Sequence, residues 1–189
     1  MTEEKALSKI SHSRKIGFPR IHIPGGTSKD GSFFVGIIVP YYDPITKKTY
    51  ILCLPYNPYF HLEGESGHNK KVGESPEDAV LRELMEEAGL HINWEDLEEL
   101  VKYKVPDNRP NKEGQYHWKY FYLVTKFSGT PFDFEGPNPI DGETAAPMWI
   151  PAAMALDVLY YSHKEPLKLA IKKLQAQSVE YAYSLMNII

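Results

Sequence analysis

The stretch that most constrains this chain runs from Glu74 to Leu90, ESPEDAVLRELMEEAGL, because it specifies both ends of a helix and loads that helix with acid. Ser75 is a good N-cap, since a serine hydroxyl accepts from the free N–H groups of a first turn, and Pro76 suits the first helical position, where no N–H is required. Asp78 stands where a capping-box acid reaches back, and Gly89 suits a left-handed C-terminal cap. Together these signals predict a helix of about fourteen residues. At about 100° per residue, Leu81, Leu84, Met85 and Ala88 share one apolar stripe, with Glu83, Glu86 and Glu87 on the opposite side.

Carboxylates three and four residues apart repel by a few tenths of a kcal/mol per pair, so this patch needs neutralising charge. One source is solvent together with nearby Lys and Arg. The other is a divalent cation, because Mg²⁺ and Mn²⁺ prefer hard oxygen ligands and keep water positions open for substrate phosphates. Charge alone favours the first reading.

The order of the residues reverses that preference. With U for a bulky aliphatic residue, the box of the Nudix hydrolase family reads glycine, five residues, glutamate, seven residues, then REUxEExGU. Here Glu74 is followed after seven residues by Arg82, Glu83, Leu84, Met85, Glu86, Glu87, Ala88, Gly89 and Leu90, and Gly73, Glu74 and Ser75 form the family's common GES lead-in. The chain closely resembles that family. Upstream it departs from the pattern. Counted without a gap, His68 stands where the first glycine belongs; with one extra loop residue, Gly67 takes that place.

The resemblance implies an α/β fold, a Nudix-type α/β/α sandwich with a mixed β-sheet and the box helix on one face. It implies that Glu83, Glu86 and Glu87 bind Mg²⁺ or Mn²⁺, joined by the backbone carbonyl of Gly67. Glu83 is also a candidate general base. Arg82 would pair with Glu74 or with one of the metal-binding acids, which gives Glu74 a supporting role. Glu143, an acid placed before the WVP-like Trp149–Pro151, is a further catalytic candidate, with Glu135 and Asp141 as competitors. The chemistry is coherent without the family name: cleaving a phosphoanhydride requires neutralised phosphate oxygens, an attacking water and a base near it.

The rest of the chain reads as scaffold. Its 189 residues, 42% hydrophobic, suffice for one well-cored domain, with residues 1–31 as an N-terminal extension and 164–189 as a C-terminal helix. A net charge of −4 argues against a general nucleic-acid binder. Cys53 is the single cysteine and reads as a buried small hydrophobe. No signal-like or membrane-spanning run is evident, so a cytoplasmic setting and no membrane partner are expected. A short helix is expected near Glu3–Ile10 and a turn at Pro24, Gly25 and Gly26.

Strands are expected over FFVGIIVPYY and TYILCL, joined by a DPITKK hairpin, then over Leu97–Val105 and Trp118–Phe127. Residues 55–66 read as an irregular loop in which Tyr56, Tyr59 and Phe60 either stack on a nucleobase or cover a core edge. Arg109 and Lys112 lie in a long polar loop, as phosphate-facing or merely solubilising cations. A helix is expected over 152–161. A longer one starting at Pro166 carries Leu167, Ile171, Leu174, Ala182 and Leu185 as a core stripe and leaves a homodimer contact open.

The reading is therefore a metal-dependent hydrolase of the pyrophosphate linkage in a nucleoside diphosphate derivative: ADP-ribose-like, a dinucleotide or a nucleoside triphosphate. ADP-ribose hydrolases of the family the chain resembles often carry a proline about sixteen residues beyond the box, and Pro106 falls there. The alternative is a non-catalytic module that binds a nucleotide or metabolite, or a regulatory protein. A third class, an interaction protein built on the C-terminal helix, would leave the acidic face incidental.

Overall fold

The structure, a computed structural model, describes residues 33–56, 59–62, 74–106, 116–136, 138, 140 and 145–189. The expected helix near Glu3–Ile10, the Pro24–Gly26 turn, His68, the Gly67 ligand, Arg109, Lys112, Asp141 and Glu143 lie outside them.

The β-branched run beginning at Phe33 breaks in two. β1 (Phe33–Ile38) joins one sheet and β2 (Pro40–Asp43) the other. At the break, the Val39 carbonyl accepts from Leu52 N–H at 3.0 Å. The DPITKK hairpin forms as expected between β2 and β3 (Lys48–Tyr56). Asp43 closes it by accepting from Ile45 N–H at 2.9 Å and Thr46 Oγ1 at 2.7 Å, and Lys47 takes the left-handed position at φ 55°. The expected irregular loop is instead a second hairpin: β4 (Tyr59–Leu62) pairs back on β3. Alternation explains it, since Phe60 and Leu62 are buried while Tyr59 is 44% exposed. Phe60 therefore belongs to the core and is not a base-stacking ring.

β5 (Leu97–Pro106) and β6 (Tyr116–Val124) form an antiparallel pair, and β1 lies parallel to β6, giving the mixed sheet β1-β6-β5. β6 ends before the expected Phe127 because Thr125 N–H turns to the Asp96 carbonyl at 2.9 Å. β7 (Met148–Pro151) pairs with β3 in the antiparallel second sheet. Since β7 shares Tyr50 and Ile51 with β2 and Cys53 with β4, β2 and β4 follow one another along the opposite edge of β3.

Both faces of the strands are covered. Phe33, Val35, Ile37, Val39, Leu52, Tyr122 and Val124 pack with Ala79, Val80, Leu84 and Ala88 of the box helix. Ile38, Ile51, Cys53, Phe121, Leu123 and Ile150 face the C-terminal helices α2 (Ala152–Val158), α3 (Tyr161–Gln177) and α4 (Val179–Ser184). The period of two thus sends alternate residues into two cores, and the α/β/α layering follows. Gly36 is required where β1 passes beneath Phe121: a Cβ there would lie 2.4 Å from the ring.

The C-terminal helices differ from expectation at their starts and stops. α2 stops at Val158, after which Tyr160 N–H bonds to the Phe60 carbonyl at 2.9 Å. α3 begins at Tyr161, ahead of Pro166, which lies buried inside it. Buried His163 anchors that earlier start, its Nδ1 accepting from Leu62 N–H at 3.1 Å. Ser178 breaks the expected single stripe by capping α4, accepting from Tyr181 N–H at 3.2 Å. Leu167, Ile171, Leu174 and Leu185 are core residues, whereas Ala182 is only partly buried.

Candidate active site

The box helix starts and ends where its sequence signals place it. Ser75 is extended at φ −75°, ψ 159°, its Oγ accepts from Asp78 N–H at 3.1 Å, and Pro76 opens α1 (Pro76–Glu83). Asp78 reaches back to the Ser75 hydroxyl, which donates to its Oδ2 at 2.9 Å. The last turn, Leu84–Ala88, widens to π-helical geometry, and Gly89 caps it at φ 70°. Glycine is required there: φ is left-handed, and a Cβ would lie 2.5 Å from the Phe132 ring.

The buried face of this helix is rotated from the expected stripe. Ala79, Val80, Leu84 and Ala88 are buried, while Met85 is 39% exposed. Glu83 and Glu87 fall on the same face as Val80 and Leu84 and are buried too, at 2% and 1% exposure. Two of the three acids thus enter the protein rather than facing solvent. Van der Waals contact with the sheet decides the helix's rotation, and the wheel alone misplaces it.

One guanidinium organises the acids. Arg82 binds Glu74 through both ends of its fork, Nε to Oε1 at 2.7 Å and Nη2 to Oε2 at 3.1 Å. Its Nη1 reaches Glu83 Oε1 at 2.6 Å and Glu86 Oε2 at 3.0 Å. Arg82 therefore holds Glu74 and two of the acids at once, where the sequence left these as alternatives. Burial disfavours its charge, yet the bonds to Glu74 and Glu83 outweigh that and raise its pKa further. Arg82 thus binds three carboxylates, two of which, Glu74 and Glu83, are at most 4% exposed.

The donor set is hard oxygen, the chemistry that suits Mg²⁺ or Mn²⁺. Among the described residues, however, no three His, Cys, Asp or Glu side chains stand together as a metal-holding group. Arg82 Nη1 lies between Glu83 and Glu86 instead, and Glu143 and Gly67 fall outside the described residues. Of the competitors for the fourth carboxylate, Glu135 is exposed.

Two supporting contacts escape the sequence. Tyr122 of β6 donates from its hydroxyl to Glu77 Oε1 at 3.0 Å, tying the first turn of α1 to the sheet; burial and the Glu77 carboxylate push the phenol up. Asn138, 1% exposed, donates from Nδ2 to the Glu86 carbonyl at 2.8 Å. A polar residue in a Pro- and Gly-rich run gives no local hint of this. Tyr59, exposed where Phe60 is buried, packs its ring 5.7 Å from Tyr160.

A two-sided α/β sandwich carrying an acid-rich helix pinned by one arginine defines the class. The sequence matches the NUDIX domain over residues 67–170, more than half of its length, and the chain belongs to the NUDIX domain family. It is 36% identical over 70 residues to the 8-oxo-dGTP diphosphatase of Escherichia coli (strain K12), an alignment covering 37% of this chain and 49% of that relative. The chain therefore spans about half the length of the curated relative it matches. Solved structures share the fold. The Bacillus halodurans MutT protein superposes with a TM-score of 0.55 at 18% identity, over 72% of this chain and 80% of that one. The NUDIX domain of Shewanella oneidensis NrtR, complexed with ADP ribose, superposes with a TM-score of 0.56 at 16% identity, over 92% and 99%. Among the described residues no helix is long and apolar enough to cross a membrane.

Proposed function

We propose that this protein is a divalent-metal-dependent pyrophosphohydrolase acting on a nucleoside diphosphate derivative. The observation that carries the proposal is the placement of the box acids: Glu83 and Glu86 share the Arg82 guanidinium, and Glu87 is buried one turn beyond Glu83.

In this account Glu83, Glu86 and Glu87 hold Mg²⁺ or Mn²⁺, with the Gly67 carbonyl as a further ligand. When bound, the ion supplies charge that stabilises the negative charge developing on the diphosphate oxygens. The protein's own residues do the rest. Glu83 accepts the proton of the attacking water, and Glu143 is the fourth carboxylate, reaching the metal centre. Arg82, held by both Glu74 oxygens, keeps loop and helix in register so that the acids depart from a fixed backbone.

The substrate class draws support from the relatives: one is an 8-oxo-dGTP diphosphatase, and one fold neighbour holds ADP ribose. Both ligands carry a nucleoside on a phosphoanhydride. The ADP ribose complex equally suits a module that binds without cleaving, which is the second reading. A release assay separates the two. ADP-ribose, dinucleoside polyphosphates, NADH, coenzyme A, sugar nucleotides, nucleoside triphosphates and 8-oxo-dGTP are each offered with Mg²⁺, Mn²⁺ or chelator. Metal-dependent cleavage of one compound names the substrate class, whereas tight binding of a compound with no cleavage of any would overturn the enzyme reading in favour of the binding module. A cytoplasmic setting and a homodimer remain part of this proposal.

A further inference from the structure

We infer that Asn138 is a positioning residue for Glu86, acting through the main chain of the box helix; the inference rests on the proposed role of Glu86 as a metal ligand. A helix leaves its last carbonyls without intrahelical donors. Here those of Leu84 and Met85 are met locally, by Leu90 N–H at 3.3 Å and Gly89 N–H at 3.1 Å. Those of Glu86 and Ala88 are met from a distant segment, by Asn138 Nδ2 at 2.8 Å and Phe132 N–H at 3.0 Å. Phe132 and Asn138 thus close the end of the helix on which the acids sit.

The Asn138 amide is oriented at both ends. Its Oδ1 accepts from Ile140 N–H at 2.8 Å, and a carbonyl partner at Glu86 requires the NH₂ end there. Burial of such a side chain at 1% exposure is stable because both ends are bonded. The bond falls inside the π-helical turn Leu84–Ala88, a geometry rarely held by local preference alone. Glu86 is also the least enclosed of the Arg82-bound acids, its side chain 32% exposed against 4% for Glu74 and 3% for Glu83. Packing therefore fixes it least, and the carbonyl bond sets the peptide plane from which its side chain departs.

Asn138→Asp keeps the volume and the acceptor for Ile140 but removes the donor to Glu86. Its added negative charge would by itself attract a cation, so weaker binding cannot come from charge. Free Mn²⁺ followed by electron paramagnetic resonance reports affinity, and circular dichroism melting of the metal-free protein reports fold. Asn138→Asp is expected to weaken Mn²⁺ binding about tenfold with the folded state retained, and to add no further loss in a Glu86→Gln background. Wild-type affinity in Asn138→Asp, or an undiminished loss in the Glu86→Gln background, overturns the inference. Wild-type affinity in Glu86→Gln alone overturns the metal-ligand reading instead. If Asn138→Asp does not fold, Asn138→Ser, neutral and too short to reach Glu86, is compared in the same way.

Discussion

At the scale of single residues, the site depends on how Arg82 divides its donors. Two go to Glu74 in a fork, and one is shared between Glu83 and Glu86. Glu74→Gln keeps the shape but removes one charge from a pair in which Glu74 is 4% and Arg82 12% exposed. The loss is expected to be about 1 to 3 kcal/mol, the range for charge-assisted bonds. In a chain of this length, each kcal/mol lowers the melting temperature by about 2 to 4 °C. An unchanged melting temperature in Glu74→Gln would show that the fork contributes nothing to the fold.

At the scale of elements, the box helix was legible in the sequence because its signals are local. Ser75, Pro76 and Gly89 each act within one turn, and all take the predicted positions. What the sequence hid depends on contacts between distant segments. The buried face of α1 is set by the sheet beneath it, so Glu83 and Glu87 turn inward although a wheel places them outside. β4 looked irregular because it lies in a run, residues 55–66, that is rich in Tyr and Pro, and only its pairing with β3 makes it a strand. α3 starts before Pro166 because His163 bonds Leu62, 101 residues away in sequence. Asn138 carried no signal at all. The cap also yields a prediction. Gly89→Ala meets both a left-handed φ of 70° and the Phe132 ring at 2.5 Å, so it is expected to cost about 1 to 3 kcal/mol. Chemical denaturation measures this, and a wild-type midpoint would contradict the described cap.

At the scale of the whole molecule, the sheets separate two cores, and the C-terminal one carries the buried imidazole of His163 beside the partly buried His61. Burial drives His61 down to about 2 and His163 well below the usual 6.5. His163 adjoins Phe121 and Tyr160 at ring distances of 5.5 and 6.2 Å, and Lys119, itself lowered by burial to about 8, adds repulsion to both imidazoles. The unfolded chain protonates the two imidazoles at a higher pH than the folded one does. Their contribution to stability is therefore complete above pH 6.5 and is lost as the pH falls below it, by about 1.4 kcal/mol per pH unit for each imidazole. Melting temperatures measured from pH 7.5 to 5 should fall accordingly, and His163→Asn should flatten the slope; a wild-type profile level across that window would contradict the burial of these groups. The same core constrains any study of self-association. Leu167, Ile171, Leu174 and Leu185 are buried in it, so deleting residues 164–189 would expose the core rather than isolate an interface. Substitution of the exposed Val179 and Tyr183 is the better probe.

The central claim is that the box carboxylates hold a catalytic ion. It is tested most directly by titrating turnover against Mg²⁺ in the wild type and in Glu87→Gln, on whichever compound of the release panel is cleaved. Glu87 is buried at 1% exposure, and the amide keeps its shape while removing the charged hard ligand. The account predicts metal-dependent turnover in the wild type, reduced at least about 100-fold in Glu87→Gln, with both proteins folded by circular dichroism. Equal rates and equal Mg²⁺ dependence in the two proteins would contradict it.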